Sequence, residues 1–127
     1  MNPDAPIKQE IGLRRLWNAT GCSIKGLKRI WQDEAAFRQE VGLCAALIPL
    51  MLLDLTSMER VCLIAVCFLV LIVEVLNSAI EAAIDRVGYE WHDFSEKAKD
   101  LGSLAVTLSL MLAALVWGVI ILPALGL

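Results

Sequence analysis

Three long apolar runs divide this chain, and short polar segments separate them. The runs are Val41–Leu53, Val61–Ile84 with its polar insertions, and Leu101–Leu127. A helix needs about 20 apolar residues to cross a hydrocarbon core of roughly 30 Å. The first run has only 13 uncharged residues, so its helix is expected to begin earlier in the chain, and Pro49 is expected to kink it. We therefore predict three transmembrane helices, at about residues 34–53, 58–87 and 95–123.

Polar residues between the runs indicate where these helices begin and end. Thr56 or Ser57 is expected to cap the start of the second helix, and Gly88 to cap its end. Asp93 with Glu96 three residues later resembles a capping box that opens the third helix.

A separate amphipathic segment precedes the first run, from Ile11 to Gln32. Its apolar residues, two tryptophans among them, are interspersed with five basic residues, which is typical of a helix lying on a membrane surface. A soluble helix packed on a partner is the alternative. We predict this surface helix at about residues 7–32, and Gly21 and Gly26 predict a break in it near Thr20–Ser23.

The composition supports one integral membrane domain that covers residues 1–127. The chain is 58% hydrophobic, and its last 27 residues carry no charge. A net charge of −3 argues against a nucleic-acid partner. The N-terminal residues lack a short apolar stretch of the signal-peptide type, so no cleaved signal peptide is expected. No pair of cysteines has metal-ligand spacing, and buried thiols are expected at Cys22, Cys44, Cys62 and Cys67.

The basic residues predict how the chain is oriented. Seven lie before residue 41, and one (Arg60) lies in the first turn. Three (Arg86, Lys97 and Lys99) lie around the second loop, which joins the second and third predicted helices, and none follows Lys99. The positive-inside rule then places the N-terminus and the second loop in the cytoplasm and the C-terminus outside.

An acidic and polar stripe runs along the cytoplasmic end of the second predicted helix. At roughly 100° per residue, four side chains lie within about 60° of Glu74 around the helix axis: Asn77, Ser78, Glu81 and Asp85. Ionisable residues inside membrane helices are expensive and mark a functional site facing protein or a water-filled cavity. A buried structural carboxyl is the alternative for Glu74, and a solvated helix end is the alternative for Asp85 with Arg86.

Two further polar clusters are expected at the same membrane face, within residues 33–40 and 96–103. Carboxylates and cations at a lipid–water boundary are suited to holding Mg²⁺ on a polyphosphate. Glu34 and Arg38 could instead form a plain helix ion pair. These residues alone leave a transporter subunit, a phosphotransferase and an assembly factor open.

Three segments resemble the hallmark segments of the prokaryotic diacylglycerol kinase family. They are EAAFRQE from Glu34, EVLNSAIE from Glu74 and AKDLGS from Ala98, and the resemblance covers nearly the whole chain. It implies a homotrimer of three-crossing subunits in the bacterial inner membrane, with an N-terminal surface helix. It also implies transfer of the ATP γ-phosphate to the free hydroxyl of diacylglycerol, with Mg²⁺ as the metal. An undecaprenol kinase is the alternative within the resemblance, and a non-enzymatic assembly or transport subunit is the alternative outside it.

The resemblance also implies roles for individual residues. Glu74 matches the general base, Glu34 and Glu81 match the Mg²⁺ ligands, and Asn77 matches a residue that orders that site. The matching nucleotide contacts are Arg15, Cys22, Glu34, Glu81, Glu90, Trp91, His92, Lys99 and Asp100. The matching lipid-substrate positions are Arg15, Thr20, Ser23, Arg38, Gln39, Glu40, Glu74 and Ser103. Cys22 stands where the family usually has an aromatic residue, and Trp91 replaces another aromatic.

A ridge of small residues follows in the third predicted helix, at Gly102, Ala105, Ser109 and Ala113. Small residues let helix backbones approach closely within a membrane. We therefore expect this ridge to pack against another transmembrane helix, with Ser109 donating a hydrogen bond to an opposing carbonyl.

Overall fold

The computed structural model describes residues 12–127, and all of the regular secondary structure in that part of the chain is helical. The helices are α1 (Leu13–Asp33), α2 (Ala35–Leu47), a 3-10 helix (Ile48–Leu52), α3 (Ser57–Val87) and α4 (Asp93–Ala124). Within the described residues, three segments are long and apolar enough to cross a membrane: α2 with the 3-10 helix, α3, and α4. The predicted all-helical membrane architecture, with a preceding N-terminal helix, is confirmed.

Helix α1 is a compact unit by itself, and the predicted break near Thr20–Ser23 is wrong because the helix is continuous. Two hydroxyl groups in this stretch donate to backbone carbonyls one turn earlier: Thr20 Oγ1 to Leu16 O at 2.9 Å and Ser23 Oγ to Ala19 O at 3.0 Å. A glycine inside a helix costs only about 0.5–1 kcal/mol relative to alanine, so two of them weaken a helix of 21 residues without ending it. Predicted helical residues 7–11 lie outside the described part of the chain.

Most apolar side chains of α1 are exposed, whereas Ile30 is buried. Leu13 is 85% exposed and Trp17 is 80% exposed. The expected membrane-surface role leaves such a face in contact with lipid, where tryptophan is favoured at headgroup depth.

The first membrane crossing changes from an α-helix to a 3-10 helix next to Pro49. The α-helix ends at Leu47, and Pro49 lies in the first turn of the 3-10 helix that follows. Proline has no N–H to donate, so it fits an N-terminal position better than a helix interior. The Arg60 guanidinium then donates from Nε to Met51 O and from Nη2 to Leu53 O, both at 3.1 Å. This side chain of α3 thereby satisfies carbonyls at the end of the 3-10 helix.

Helices α3 and α4 form an antiparallel hairpin and share the largest helix–helix contact in unit 34–127. Near the end of the hairpin opposite the second loop, Leu63 of α3 is fully buried in a cluster with Leu55 and Ile121. Thr56 caps α3 as predicted. Its hydroxyl accepts from the Glu59 N–H at 3.2 Å, and the Glu59 carboxylate accepts from the Thr56 N–H at 2.7 Å.

The start of α4 differs from the prediction. Asp93 is its first residue, and the N-cap is His92, whose Nδ1 accepts from the Phe94 N–H at 3.2 Å. The Glu96 carboxylate accepts instead from the Trp91 indole Nε1 at 2.7 Å. The predicted Asp93–Glu96 capping box is wrong because a ring nitrogen takes the capping position one residue earlier and the indole uses the glutamate.

Gly88 occupies the predicted C-cap position of α3, where its N–H donates to Ile84 O at 3.3 Å. The small-residue ridge of α4 is partly buried: Gly102 and Ser109 are buried, whereas Ala105 is exposed. The Ser109 hydroxyl donates to Val106 O of its own helix at 2.7 Å, so the predicted bond to an opposing carbonyl is wrong.

Candidate functional site

A cluster of carboxylates surrounds Glu74 on α3. Glu74 is only 4% exposed although it is ionisable and lies inside a membrane-spanning helix. It interacts electrostatically with Glu34 at the start of α2 and with Glu81 two turns further along α3, and Glu40 of α2 also faces it. Like charges this close repel one another, so such a cluster needs a proton or a cation to be stable.

Glu34 is placed where its carboxylate is available to a ligand. It is the N-cap residue of α2, with extended backbone, but its side chain makes no capping hydrogen bond among the described residues. Within residues 12–127, no three His, Cys, Asp or Glu side chains stand close enough to hold a metal ion by themselves. Magnesium commonly takes one or two protein carboxylates and completes its shell with phosphate oxygens and water, so Glu34 and Glu81 fit that mode of binding.

Asn77 links α3 to α4 and to Glu81. Its Nδ2 donates to Glu81 Oε1 at 3.3 Å, one turn along the same helix. Its side chain lies directly against Gly102, where an added Cβ would stand 3.3 Å from Asn77 Cγ and closer still to Oδ1. The absence of a side chain at Gly102 therefore makes room for the Asn77 amide that orients Glu81.

The last acidic residue of the stripe, Asp85, pairs with a cation of the next helix. Lys99 Nζ lies 2.8 Å from Asp85 Oδ1, and the two side chains are 44% and 38% exposed. Lys99 also interacts electrostatically with Glu81. Asp85 is therefore part of a contact between α3 and α4 at a helix end that is still partly exposed to solvent.

A polar cavity of about 330 Å³ opens where α3 ends and α4 begins. Five of the predicted nucleotide contacts line this cavity. Glu90, Trp91 and His92 lie between the two helices, and Lys99 and Asp100 lie on α4. The Trp91 indole is held by its hydrogen bond to Glu96, and the ring of His92 stacks on Phe94 with centroids 5.7 Å apart. An exposed aromatic surface beside a cation is suited to a base and its phosphates.

The part played by the other predicted site residues stays a prediction. Arg15, Thr20, Cys22 and Ser23 lie on α1, which is a unit of its own, so their part in the site stays a prediction. Arg38, Gln39 and Ser103 lie near the start of α2 or α4, and Gln39 and Ser103 are exposed. Their contact with a lipid substrate also stays a prediction.

Two features of the site were not predicted from the sequence. Gly102 was assigned to helix packing, whereas it also accommodates Asn77. Trp117 lines a cavity of about 150 Å³ together with Glu40, and both Trp117 Nε1 and Glu40 Oε2 are buried without a partner among the described residues. A tryptophan inside the uncharged segment 101–127 was the available signal, since an indole N–H there needs an acceptor.

Comparison with known proteins places this chain in a family. The family described as "Prokaryotic diacylglycerol kinase" matches residues 21–121. The protein named "Diacylglycerol kinase" from Pseudomonas aeruginosa is 50% identical over 123 residues, which cover 96% of this chain and 99% of that protein. Proteins of the same name from Escherichia coli K12 and Haemophilus influenzae are 46% and 44% identical, and the matches cover 87% and 84% of this chain and 91% and 92% of those proteins. The chain therefore belongs to the prokaryotic diacylglycerol kinase family.

Proposed function

We propose that this protein phosphorylates diacylglycerol, using ATP as the donor and releasing phosphatidic acid and ADP. The observation that carries the proposal is the buried Glu74 carboxyl, which lies among other carboxylates and on the same helix that leads to the polar cavity. A lipid hydroxyl and a water-soluble nucleotide must meet at the membrane surface. In this arrangement Glu74 would serve the hydroxyl and the polar cavity would hold the nucleotide. The relatives named "Diacylglycerol kinase" support the same reaction.

Glu74 is the proposed general base. Its carboxylate would accept the proton of the lipid hydroxyl as that oxygen attacks the γ-phosphorus and the bond to the ADP oxygen breaks. Low exposure keeps bulk water from competing with the lipid hydroxyl at this position.

Glu34 and Glu81 are the proposed Mg²⁺ ligands, and the bound ion would neutralise charge on the ATP phosphates. Asn77 would keep the Glu81 carboxylate oriented through its hydrogen bond. Lys99 would contact phosphate oxygens, with Asp85 holding its ammonium group in place before the nucleotide binds.

We further propose that the subunits form a homotrimer in the inner membrane, with the second loop in the cytoplasm. The basic residues on both sides of this loop support the orientation. Large apolar side chains such as Phe68 and Leu108 are exposed on α3 and α4, and such surfaces suit contacts with lipid or with another subunit.

The experiment that tests the function is transfer of ³²P from γ-labelled ATP to lipid in mixed micelles. Diacylglycerol and undecaprenol are offered separately at equal concentration. Preferential labelling of diacylglycerol supports the proposal. Preferential labelling of undecaprenol would show a kinase for a different lipid alcohol, and labelling of neither would favour a non-enzymatic role.

Replacing either proposed metal ligand is expected to weaken the binding of Mg²⁺. In Glu34→Ala and in Glu81→Ala, the Mg²⁺ concentration at half-maximal rate should rise, because each variant lacks one hard oxygen ligand. The measurement is initial rate against free Mg²⁺ at constant ATP. Titration curves that match wild type in both variants would place the metal at other residues.

Removing the partner of Lys99 is expected to affect nucleotide binding more than chemistry. In Asp85→Asn, the KM for ATP should rise by about two- to fivefold with a smaller change in kcat, since a partly exposed ion pair contributes about 0–1 kcal/mol. Asp54→Asn, in the exposed turn before α3, is the matched control and should leave both constants unchanged. An unchanged KM in Asp85→Asn would show that this ion pair does not position Lys99 for ATP.

A further inference from the structure

Helix α1 carries a strip of large apolar side chains along one face. At roughly 100° per residue, five of them lie within about 60° of Leu13 around the helix axis: Leu16, Trp17, Ile24, Leu27 and Trp31. Each of these side chains, Leu13 included, is at least 47% exposed. We call this face the apolar strip, and its width suits a helix that lies at the boundary between headgroups and acyl chains.

Basic side chains border the apolar strip on one side only. Four of them lie about 60–160° from Leu13 in one sense around the axis, and all four are exposed: Arg14, Lys25, Lys28 and Arg29. We call these four residues the basic flank. The positions at about 80–140° in the opposite sense carry no charge: Ala19, Ser23, Gly26 and Ile30. The positive charge is therefore directed to one edge of the strip.

The charge of the basic flank is not neutralised by the described part of the chain. No salt bridge within residues 12–127 involves any of its four side chains. Helix α1 contains five basic residues and one acidic residue, Asp33 at its end, although the whole chain has a net charge of −3. The basic residues of this acidic protein are thus concentrated beside an exposed apolar strip, and none of the four is a predicted site residue.

We propose that α1 is a recognition surface for anionic phospholipids, whose headgroup phosphates bind the basic flank while the apolar strip contacts acyl chains. With the strip facing the acyl chains, side chains at its edge lie at headgroup depth, and lysine and arginine are long enough to reach the phosphates. Each basic residue near an anionic surface strengthens binding by about fivefold. A zwitterionic surface offers no such gain, so α1 discriminates between lipids by their net charge.

The test measures amide hydrogen exchange of the full chain by mass spectrometry in two kinds of vesicle, phosphatidylcholine alone and an equimolar mixture with phosphatidylglycerol. Amides of α1 should exchange at least tenfold more slowly in the mixture, and about 1 M NaCl should remove the difference, since the Debye length is then about 3 Å. Amides of α4 serve as the internal reference and should exchange equally in both. Equal exchange of α1 in both vesicles, or a difference that survives high salt, would overturn the proposal. The measurement does not involve phosphoryl transfer.

Two variants assign the effect to the basic flank. Combining Arg14→Gln, Lys25→Gln, Lys28→Gln and Arg29→Gln removes the charge but keeps residues of similar helix propensity. This variant should exchange like wild type in phosphatidylcholine and should show no slowing in the mixture. The matched variant Lys25→Arg with Lys28→Arg keeps the charge and should keep the tenfold slowing. Slowing that persists in the glutamine variant, or is lost in the arginine variant, would contradict recognition by the charge of this flank.

Discussion

Replacing Glu74 with glutamine is expected to reduce the rate of diacylglycerol phosphorylation by about 10²–10⁴-fold, the usual contribution of a general base. Glutamine has nearly the same size, so the buried position remains filled, but its amide does not accept a proton at neutral pH. Glu74 is 4% exposed and interacts with three further carboxylates, which distinguishes it from the exposed acidic residues of the chain. The measurement is initial rate of ³²P transfer at saturating lipid and Mg²⁺–ATP.

Two controls separate a lost base from a damaged protein. Binding of Mg²⁺–ATP and thermal unfolding of Glu74→Gln should stay close to wild type. Glu59→Gln makes the same substitution at the start of the same helix, where the carboxylate accepts a hydrogen bond from the Thr56 N–H. This variant should retain most of its activity. A Glu74→Gln enzyme with more than about a tenth of the wild-type rate would exclude the base role.

Adding a single methyl group at Gly102 is expected to lower activity by about 10–100-fold. The Cβ of Gly102→Ala would clash with the Asn77 Oδ1, so the side-chain amide must rotate away. Rotation breaks the hydrogen bond from Asn77 Nδ2 to Glu81 Oε1 and leaves that carboxylate without its orienting partner. A hydrogen bond to a charged group contributes about 1.5–3 kcal/mol, which corresponds to this range of rates.

Gly118→Ala is the matched control for this substitution, because it lies on the same helix and a Cβ there would meet nothing within 4 Å among the described residues. Alanine is the better helix former by about 0.8–1 kcal/mol, so the control should be as stable as wild type or more so. Activity and thermal unfolding are measured for both variants. If Gly102→Ala is as active as Gly118→Ala, Asn77 does not need its place against α4 for catalysis.

Much of the architecture could be predicted from local patterns alone. Three apolar runs, the first of them extended toward the N-terminus, predicted the membrane-spanning helices, and Thr56 or Ser57 predicted the start of α3. The helical repeat of 3.6 residues placed Glu74, Asn77 and Glu81 on one face, and the hydrogen bond between Asn77 and Glu81 follows from that spacing. Each of these features depends on residues close together in one helix.

Features that join separate elements were decided only by the tertiary structure. Lys99 and Asp85 are 14 residues apart in sequence, and their pairing depends on how α4 packs against α3. The contact of Asn77 with Gly102 and the hydrogen bond from the Trp91 indole to Glu96 likewise depend on groups beyond one helical turn. Sequence periodicity determines which face of a helix a side chain occupies. The distance to a group on another helix is set by packing, since the chain gains stability only where both surfaces fit.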